Sequence, residues 1–266
     1  MIRNAARFFR GICLFVLRYV YAVLACLYVL TIGTLFRRDR EWIRDICAHF
    51  DLFKILRLSR QESKILIEDA ALKERLEDNQ FARYAMYLDL SDFIRKTIDL
   101  PGFKDPAIIE FGGSNGIIKL MFRNHVYEIA DNYPKIDIQD LSGFNSDQYD
   151  FVILDQVLEH VSDPVKAMRE VYRILKKGGR LIVTTPFLVK IHYVPTDYWR
   201  FSRDGLRQLL SEYSDVVVKS WGNKEVVLNH IKTGSWPSVK EARELGIFDL
   251  ENDEDLPHVV WGFAVK

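Results

Sequence analysis

The run Ala107-Ile108-Ile109-Glu110-Phe111-Gly112-Gly113-Ser114-Asn115-Gly116 decides how this chain reads. An apolar stretch of strand length, carrying one carboxylate near its end, leads into a glycine-rich turn. The mixed run from Ile117 to Phe122 that follows reads as a helix. Strand, glycine turn and helix in that order bring backbone close to a small ligand at the carboxyl edge of a parallel α/β sheet. Glycine suits the turn because a side chain would block the ligand or forbid a positive φ. Taken alone, the turn serves equally well as an ordinary strand-to-helix connection.

Downstream, Val126 to Ala130 reads as a second strand ending at Asp131, and Ile136-Asp137-Ile138 as a third, followed by Asp140-Leu141. Tyr149 to Leu154 is β-branched and aromatic throughout its centre, the pattern of a buried parallel strand. Ser162-Asp163-Pro164 starts a helix, with an N-cap candidate and a proline whose missing N–H costs nothing there. Val165, Met168, Val171 and Leu175 give that helix one apolar face, and Lys176-Lys177-Gly178-Gly179 reads as its C-terminus. A strand resumes from Arg180 to Thr184. The alternation predicts an α/β fold with a doubly wound, Rossmann-like sheet and a ligand at the carboxyl ends of its strands. A dinucleotide fingerprint fails on spacing, because its glycine positions fall on Gly112, Ser114 and Ile117.

These pieces, in this order and spacing, resemble the class I S-adenosylmethionine (SAM)-dependent methyltransferases over about residues 108–266. The resemblance rests on Ile108 to Gly116, on Tyr149-Asp-Phe-Val-Ile-Leu-Asp-Gln-Val-Leu-Glu-His-Val161, and on Ala167 to Leu181 with its strand continuing to Thr185-Pro186. His192-Tyr-Val-Pro-Thr-Asp-Tyr-Trp-Arg-Phe-Ser202 is similar to a bacterial subgroup acting on small molecules or surface-polymer intermediates, and Trp261 to Lys266 to the final strand of the fold. The resemblance implies SAM as cofactor. It sets Gly112, Ser114 and Gly116 against the amino-acid end of SAM, with Glu110 the acid closing the first strand. Asp131 would accept from the ribose hydroxyls, which suits a carboxylate able to take two charge-assisted bonds at once. Asp140 and Leu141 would flank adenine, and Asp155 and Gln156 would lie near the methyl donor. Ser114 departs from the glycine usual at its position and narrows the backbone's freedom there.

A hydroxyl acceptor would need a base nearby, and His160 and His192 are the candidate catalytic residues. His160 reads equally as packing or capping after the fourth strand. His192 stands in a polar cluster with Asp197, Tyr198 and Arg200 on a loop at the edge where loops carry function. No metal site is expected: the acidic run Asp249 to Asp255 has no coordinating repeat, and Cys13, Cys26 and Cys47 have no ligand spacing.

Outside this region, residues 1–40 are the compositional outlier. Tyr19 to Phe36 is an uncharged, mostly apolar run long enough to cross most of a bilayer core. Arg3, Arg7, Arg10 and Arg18 precede it on one side of a helical wheel, and Arg37, Arg38, Arg40 and Arg44 follow it. A spanning anchor, an interfacial helix and a buried hairpin are the open readings, and membrane attachment is expected. Trp42, Ile43, Ile46, Phe50 and Phe53 recur at helical spacing, so residues 41–100 read as a helical neck, with Ser91 capping a helix through Ile98. The expected domains are thus an anchor over 1–40, a neck over 41–100 and the methyltransferase-like domain over 101–266.

The chain has 266 residues, 48% hydrophobic, with a formal net charge of +0. That composition is globular, and the charge balance argues against a nucleic-acid partner. The expected activity is methyl transfer to a small-molecule, lipid-linked or glycan-precursor acceptor, by a catalytic domain facing the cytoplasm, where SAM is made. A non-catalytic membrane-bound assembly partner with the same fold is the alternative, favoured by Ser114 and opposed by Glu110, Asp131 and Asp140.

Overall fold

The computed structural model describes residues 70–98, 100, 102–103, 105–112, 116–122, 125–130, 134–193 and 195–266. The anchoring helix expected over residues 1–40 and the first part of the expected neck lie outside them. Among the described residues no helix is long and apolar enough to cross a membrane.

The domain is a Rossmann-like α/β fold around a mixed six-stranded sheet. Its strands are β1 (Ala107–Phe111), β2 (Val126–Ala130), β3 (Tyr149–Asp155), β4 (Leu175–Pro186), β5 (Ser214–Trp221) and β6 (Val259–Val265), in the order β2-β1-β3-β4-β6-β5. The first four run parallel, and β6 lies antiparallel between β4 and β5. The C-terminal run from Trp261, expected as the final strand, therefore fills an interior position and not an edge. The period-2 alternation of side chains sorts these strands into two cores. Ile108, Phe151, Ile153, Ile182 and Phe263 face one, and Ile109, Val152, Leu154, Val183 and Ala264 face the other. All ten are buried.

The first core is covered by helices α1 (Ala70–Asp78) and α2 (Tyr84–Ile98), and the second by α3 (Pro164–Ile174) and α4 (Arg203–Leu209). α3 starts as its sequence predicts, with the Asp163 carboxylate accepting from the Lys166 N–H and Pro164 in the first turn. Helices α5 (Lys224–Thr233) and α6 (Val239–Glu244) occupy the stretch between β5 and β6 and add Val226, Val227, Val239 and Ala242 to the first core.

Four local expectations are corrected. Ser91 does not cap a helix; it is fully buried inside α2, which begins seven residues earlier at Tyr84. Burial of Tyr84, Met86, Tyr87 and Leu88 carries the helix back across the polar residues that suggested a start. Ile136 to Ile138 is not a strand, because Asp137 makes only an isolated bridge to Asp140 and turns the chain, its carboxylate accepting from the Gln139 N–H. Ile117 to Phe122 holds a turn and a short 3-10 helix at Lys119–Met121. Lys176 to Gly179 belongs to β4: Leu175 already pairs with Tyr149, and the Gly178 N–H donates to the carbonyl of Lys266. The sheet's pairing partners take these backbone groups before a helix C-cap can.

The described part of the expected neck is part of the domain's own packing. The Phe81 N–H donates to the Pro237 carbonyl, the Val239 N–H donates to the Asn79 carbonyl, and Lys240 pairs with Asp78 at 2.6 Å. Asp89 on α2 accepts from Trp261 Nε1 at 2.8 Å and from Lys219 Nζ at 2.6 Å. Asp89→Ala leaves the Trp261 N–H without its acceptor and should cost about 1–3 kcal/mol. In urea unfolding this should appear as a lower midpoint at unchanged slope. Asp89→Asn retains the acceptor and should recover most of the loss.

Candidate active site at the carboxyl edge of the sheet

After β1 the chain runs to β2 on one side, then crosses to β3 on the other, so the strand order reverses between β1 and β3. A crevice at the carboxyl ends of the strands at such a reversal is where ligands bind in open α/β sheets. Gly112 leaves β1 at this point with φ +94°, and a Cβ there would stand 2.3 Å from the backbone oxygen of Asp155 and 2.7 Å from Val157 Cγ2. The two strand ends meet with no room for a side chain. Gly116 also has a positive φ, +67°, but faces open space. The loop is tight against the sheet at its start and open at its end, which fits a ligand lying over it. Ser114 and Asp131 lie outside the described residues.

Glu110, one residue before the turn, is fully buried. Its Oε2 accepts from the Tyr127 hydroxyl at 2.5 Å, while Oε1 has no hydrogen-bond partner among the described residues. Burial raises its pKa to about 7; the Tyr127 bond works against this and the nearby Asp155 adds to it. Asp155 closes β3 and is also buried. Its Oδ1 accepts from Thr184 Oγ1 at 2.7 Å and its Oδ2 from the Tyr87 hydroxyl at 2.9 Å. Gln156 follows with φ +58°, its side-chain amide donating to Thr184 Oγ1. β4 and α2 thus fix the end of β3 from two sides.

Asp140 is exposed and bordered by Lys166, Arg169 and Glu170. Its pKa is lowered by hydrogen bonds from the hydroxyl and backbone N–H of Ser142. Leu141 is fully buried in the second core, and its N–H donates to Glu170 Oε2. Gln139 Oε1 accepts from Ser162 Oγ and from the Asp163 N–H, which ties this segment to the start of α3.

His160 and His192 come together, with ring centroids 4.9 Å apart. His160 sits on a 3-10 turn, Leu158–His160, and its Nδ1 lies 2.5 Å from the Thr196 carbonyl. His192 is held through its backbone N–H, which donates to Asp197 Oδ2 at 2.8 Å. Asp197 is in turn paired with Arg200, as the sequence cluster suggested. Burial lowers the His192 pKa, and Asp197 raises it less.

Three residues of this edge escaped the sequence reading. Glu159 is 1% exposed, and burial raises its pKa to about 8. The other two, Arg83 and Tyr87, come from the N-terminal helical segment. Burial works against the charge of Arg83, yet Tyr87, Asp155 and Glu159 around it raise its pKa above the ordinary value. An arginine and a tyrosine four residues apart in a buried stripe were the available signal, but the same spacing also describes a surface pair.

Residues 120–183 match the family model described as methyltransferase domain. Among curated proteins, the chain is 30% identical over 84 residues to a tRNA U34 carboxymethyltransferase of Campylobacter fetus, covering 32% of this chain and 27% of that protein. It is 35% identical over 57 residues to a ubiquinone biosynthesis O-methyltransferase of Pseudomonas savastanoi, covering 21% and 25%. The chain thus spans about a quarter of the length of these relatives. A SAM-dependent methyltransferase from Archaeoglobus fulgidus superposes with a TM-score of 0.42 at 14% identity, over 68% of this chain and 94% of that one. That matched segment holds β2, β3, α3 and most of β4, and the glycine turn at the reversal lies just before it, so the part of the chain similar to a methyltransferase domain is the part that builds the reversal.

Proposed function

We propose that this chain transfers a methyl group from SAM to a small-molecule or lipid-linked acceptor. The observation that carries the reading is the crevice at the strand reversal, where Gly112 brings the end of β1 against Asp155 with no side chain between. SAM supplies the electrophilic methyl; the protein supplies orientation and a dry site. Gly112 and Gly116 would run beneath its amino-acid end, Asp131 would hold its ribose, and Asp140 would border its base, with Leu141, buried in the second core, anchoring that segment from below instead of covering the ring. Asp155, held by Thr184 and Tyr87, would stand beside the methyl. An acceptor reaching that point meets Arg83, His160 and His192 at the same edge. The ubiquinone-pathway relative and the absence of net positive charge favour a small acceptor over the nucleic acid named for the tRNA relative. A glycan precursor is the other acceptor of this kind, by the resemblance of the His192 to Ser202 run.

Attachment to a membrane through Tyr19 to Phe36 would raise the local concentration of a lipid-linked acceptor, with the domain on the cytoplasmic side where SAM is made. Calorimetric titration of the full chain with SAM should give one saturable site, which Asp131→Ala abolishes while the variant still melts cooperatively. A folded wild-type chain that binds no SAM would overturn the enzyme reading in favour of a non-catalytic assembly partner.

A further inference from the structure

The turn after β3 and the loop after β4 bring together three side chains able to ligate a metal. Glu159, His160 and His192 each offer one ligand atom, and these atoms all lie within 4.8 Å of one another. A carbonyl oxygen only accepts, so the short contact to Thr196 puts the His160 proton on Nδ1. The Nε2 lone pair is thereby left available, 3.8 Å from Glu159 Oε1. Fixing an imidazole through its other nitrogen is how ligating histidines are oriented. His192 is held by the Asp197–Arg200 pair. The loop carrying it is tied down again where the N–H groups of Tyr198 and Trp199 donate to the Glu159 carbonyl.

Glu159 gives the second, independent observation. Its side chain is 1% exposed, yet among the described residues no other residue donates a hydrogen bond to either carboxylate oxygen, and only its own backbone N–H and the charges of Arg83 and Arg200 favour its ionised form. Buried polar groups are rarely left so, and a carboxylate least of all, because an uncompensated buried charge is costly. Arg83 and Arg200 lie near enough to act on its charge, but neither makes a hydrogen bond to it.

We propose that Glu159, His160 and His192 bind one divalent transition-metal cation, Zn²⁺ by preference, at the carboxyl edge beside Asp155. Two imidazole nitrogens and one carboxylate, with no thiolate, are a three-ligand zinc set that keeps a fourth position open. Calcium and magnesium favour oxygen-only surroundings. Ligands about 2.1 Å from a tetrahedral ion stand roughly 3.4 Å apart, so modest side-chain rotations close the cluster. Arg83 and Arg200 oppose a cation here, but Arg200 is already paired with Asp197, and the Asp155 and Glu159 carboxyls flank Arg83. A fourth position left open by these three ligands would take an oxygen of the acceptor. That role rests on the methyltransferase reading, whereas the binding does not. In it, His160 and His192 hold the ion instead of taking the acceptor's proton.

The test is calorimetric titration of the chelator-stripped full chain with Zn²⁺, repeated on His192→Ala and Glu159→Gln. Co²⁺ serves as a spectroscopic stand-in. One site should weaken by roughly a hundredfold in each variant, with Co²⁺ giving visible absorption and no thiolate charge-transfer band from this site. His192 lies on a half-exposed loop, so its variant should melt cooperatively even where Glu159→Gln does not. Absence of the site in the wild-type chain, or undiminished binding by folded His192→Ala, would overturn the proposal. A parallel SAM titration separates the two readings: zinc bound without SAM leaves the metal site standing and removes the methyltransferase, and the reverse result does the opposite.

Discussion

Gly112→Ala should destabilise the domain by about 2–6 kcal/mol and abolish SAM binding. Two separate costs coincide at this residue. Its φ of +94° is one that an L side chain rarely adopts, and holding such a conformation costs about 1–3 kcal/mol. The added Cβ would also stand 2.3 Å from the Asp155 oxygen, and relieving overpacking costs about another 1–3 kcal/mol. Val157 Cγ2 is a side-chain atom that can rotate away, but the Asp155 oxygen is strand backbone, so that overlap is relieved only by parting β1 from β3 at the crevice itself. Gly116→Ala is the control. It shares the positive φ but meets nothing within 4 Å, so only the left-handed term of about 1–2 kcal/mol applies. Urea unfolding of the two variants, with SAM titration of each, checks the ordering. Equal losses at the two positions would mean that the β1–β3 contact does not define the crevice.

Two buried groups should give the stability of this domain opposed pH dependences. His258 is 2% exposed on entry to β6, and burial, helped by the neighbouring His230 and Arg83, lowers its pKa to about 3. A depressed folded-state pKa contributes stability that is present above the unfolded value near 6.5 and is lost as pH falls through about 3. The full difference corresponds to about 5 kcal/mol. Glu110 has the opposite sign. Its raised value of about 7, set by burial against Tyr127 and beside Asp155, contributes stability that is complete below about 4.5 and lost as pH rises through 7. That difference is about 3 kcal/mol. Glu110→Gln should therefore gain on the wild type by up to about 3 kcal/mol between pH 4 and pH 8. His258→Gln should gain on it in the other direction, by about 3 kcal/mol between pH 7 and pH 4, the remainder of the difference being expressed only nearer pH 3. Unfolding free energies of the three proteins across this range, compared as differences, isolate the two groups. Parallel curves for either variant would show that its group does not titrate as its burial dictates.

The class of fold was legible in the sequence, because it is written in local periodicity. β1, β2, β3 and β6 each carry the apolar run or alternation that a half- or fully buried strand requires. Asp163-Pro164 starts α3 by a capping bond three residues long. Gly112 could be singled out because it opens a glycine-rich turn directly after such a strand, although the turn alone reads equally as an ordinary connection and only the order of the pieces downstream favoured a ligand. Local chemistry misled where pairing across the fold overrode it. Lys176 to Gly179 has the composition of a helix end, but Tyr149 and Lys266 hold it in the sheet. Ser91 has the chemistry of an N-cap, but core packing carries α2 past it.

What only the tertiary structure decided is which distant residues share the crevice. Arg83 and Tyr87 reach Asp155 from a segment whose sequence shows nothing but a helical stripe, because α2 packs across the carboxyl edge of β3. Glu159 and His160 lie more than thirty positions before His192, and no spacing rule spans two loops whose separation is set by the strand between them. Periodicity reports which face of an element is buried. The partner that buries it, and the polar groups that meet as a result, are fixed only when the sheet order is.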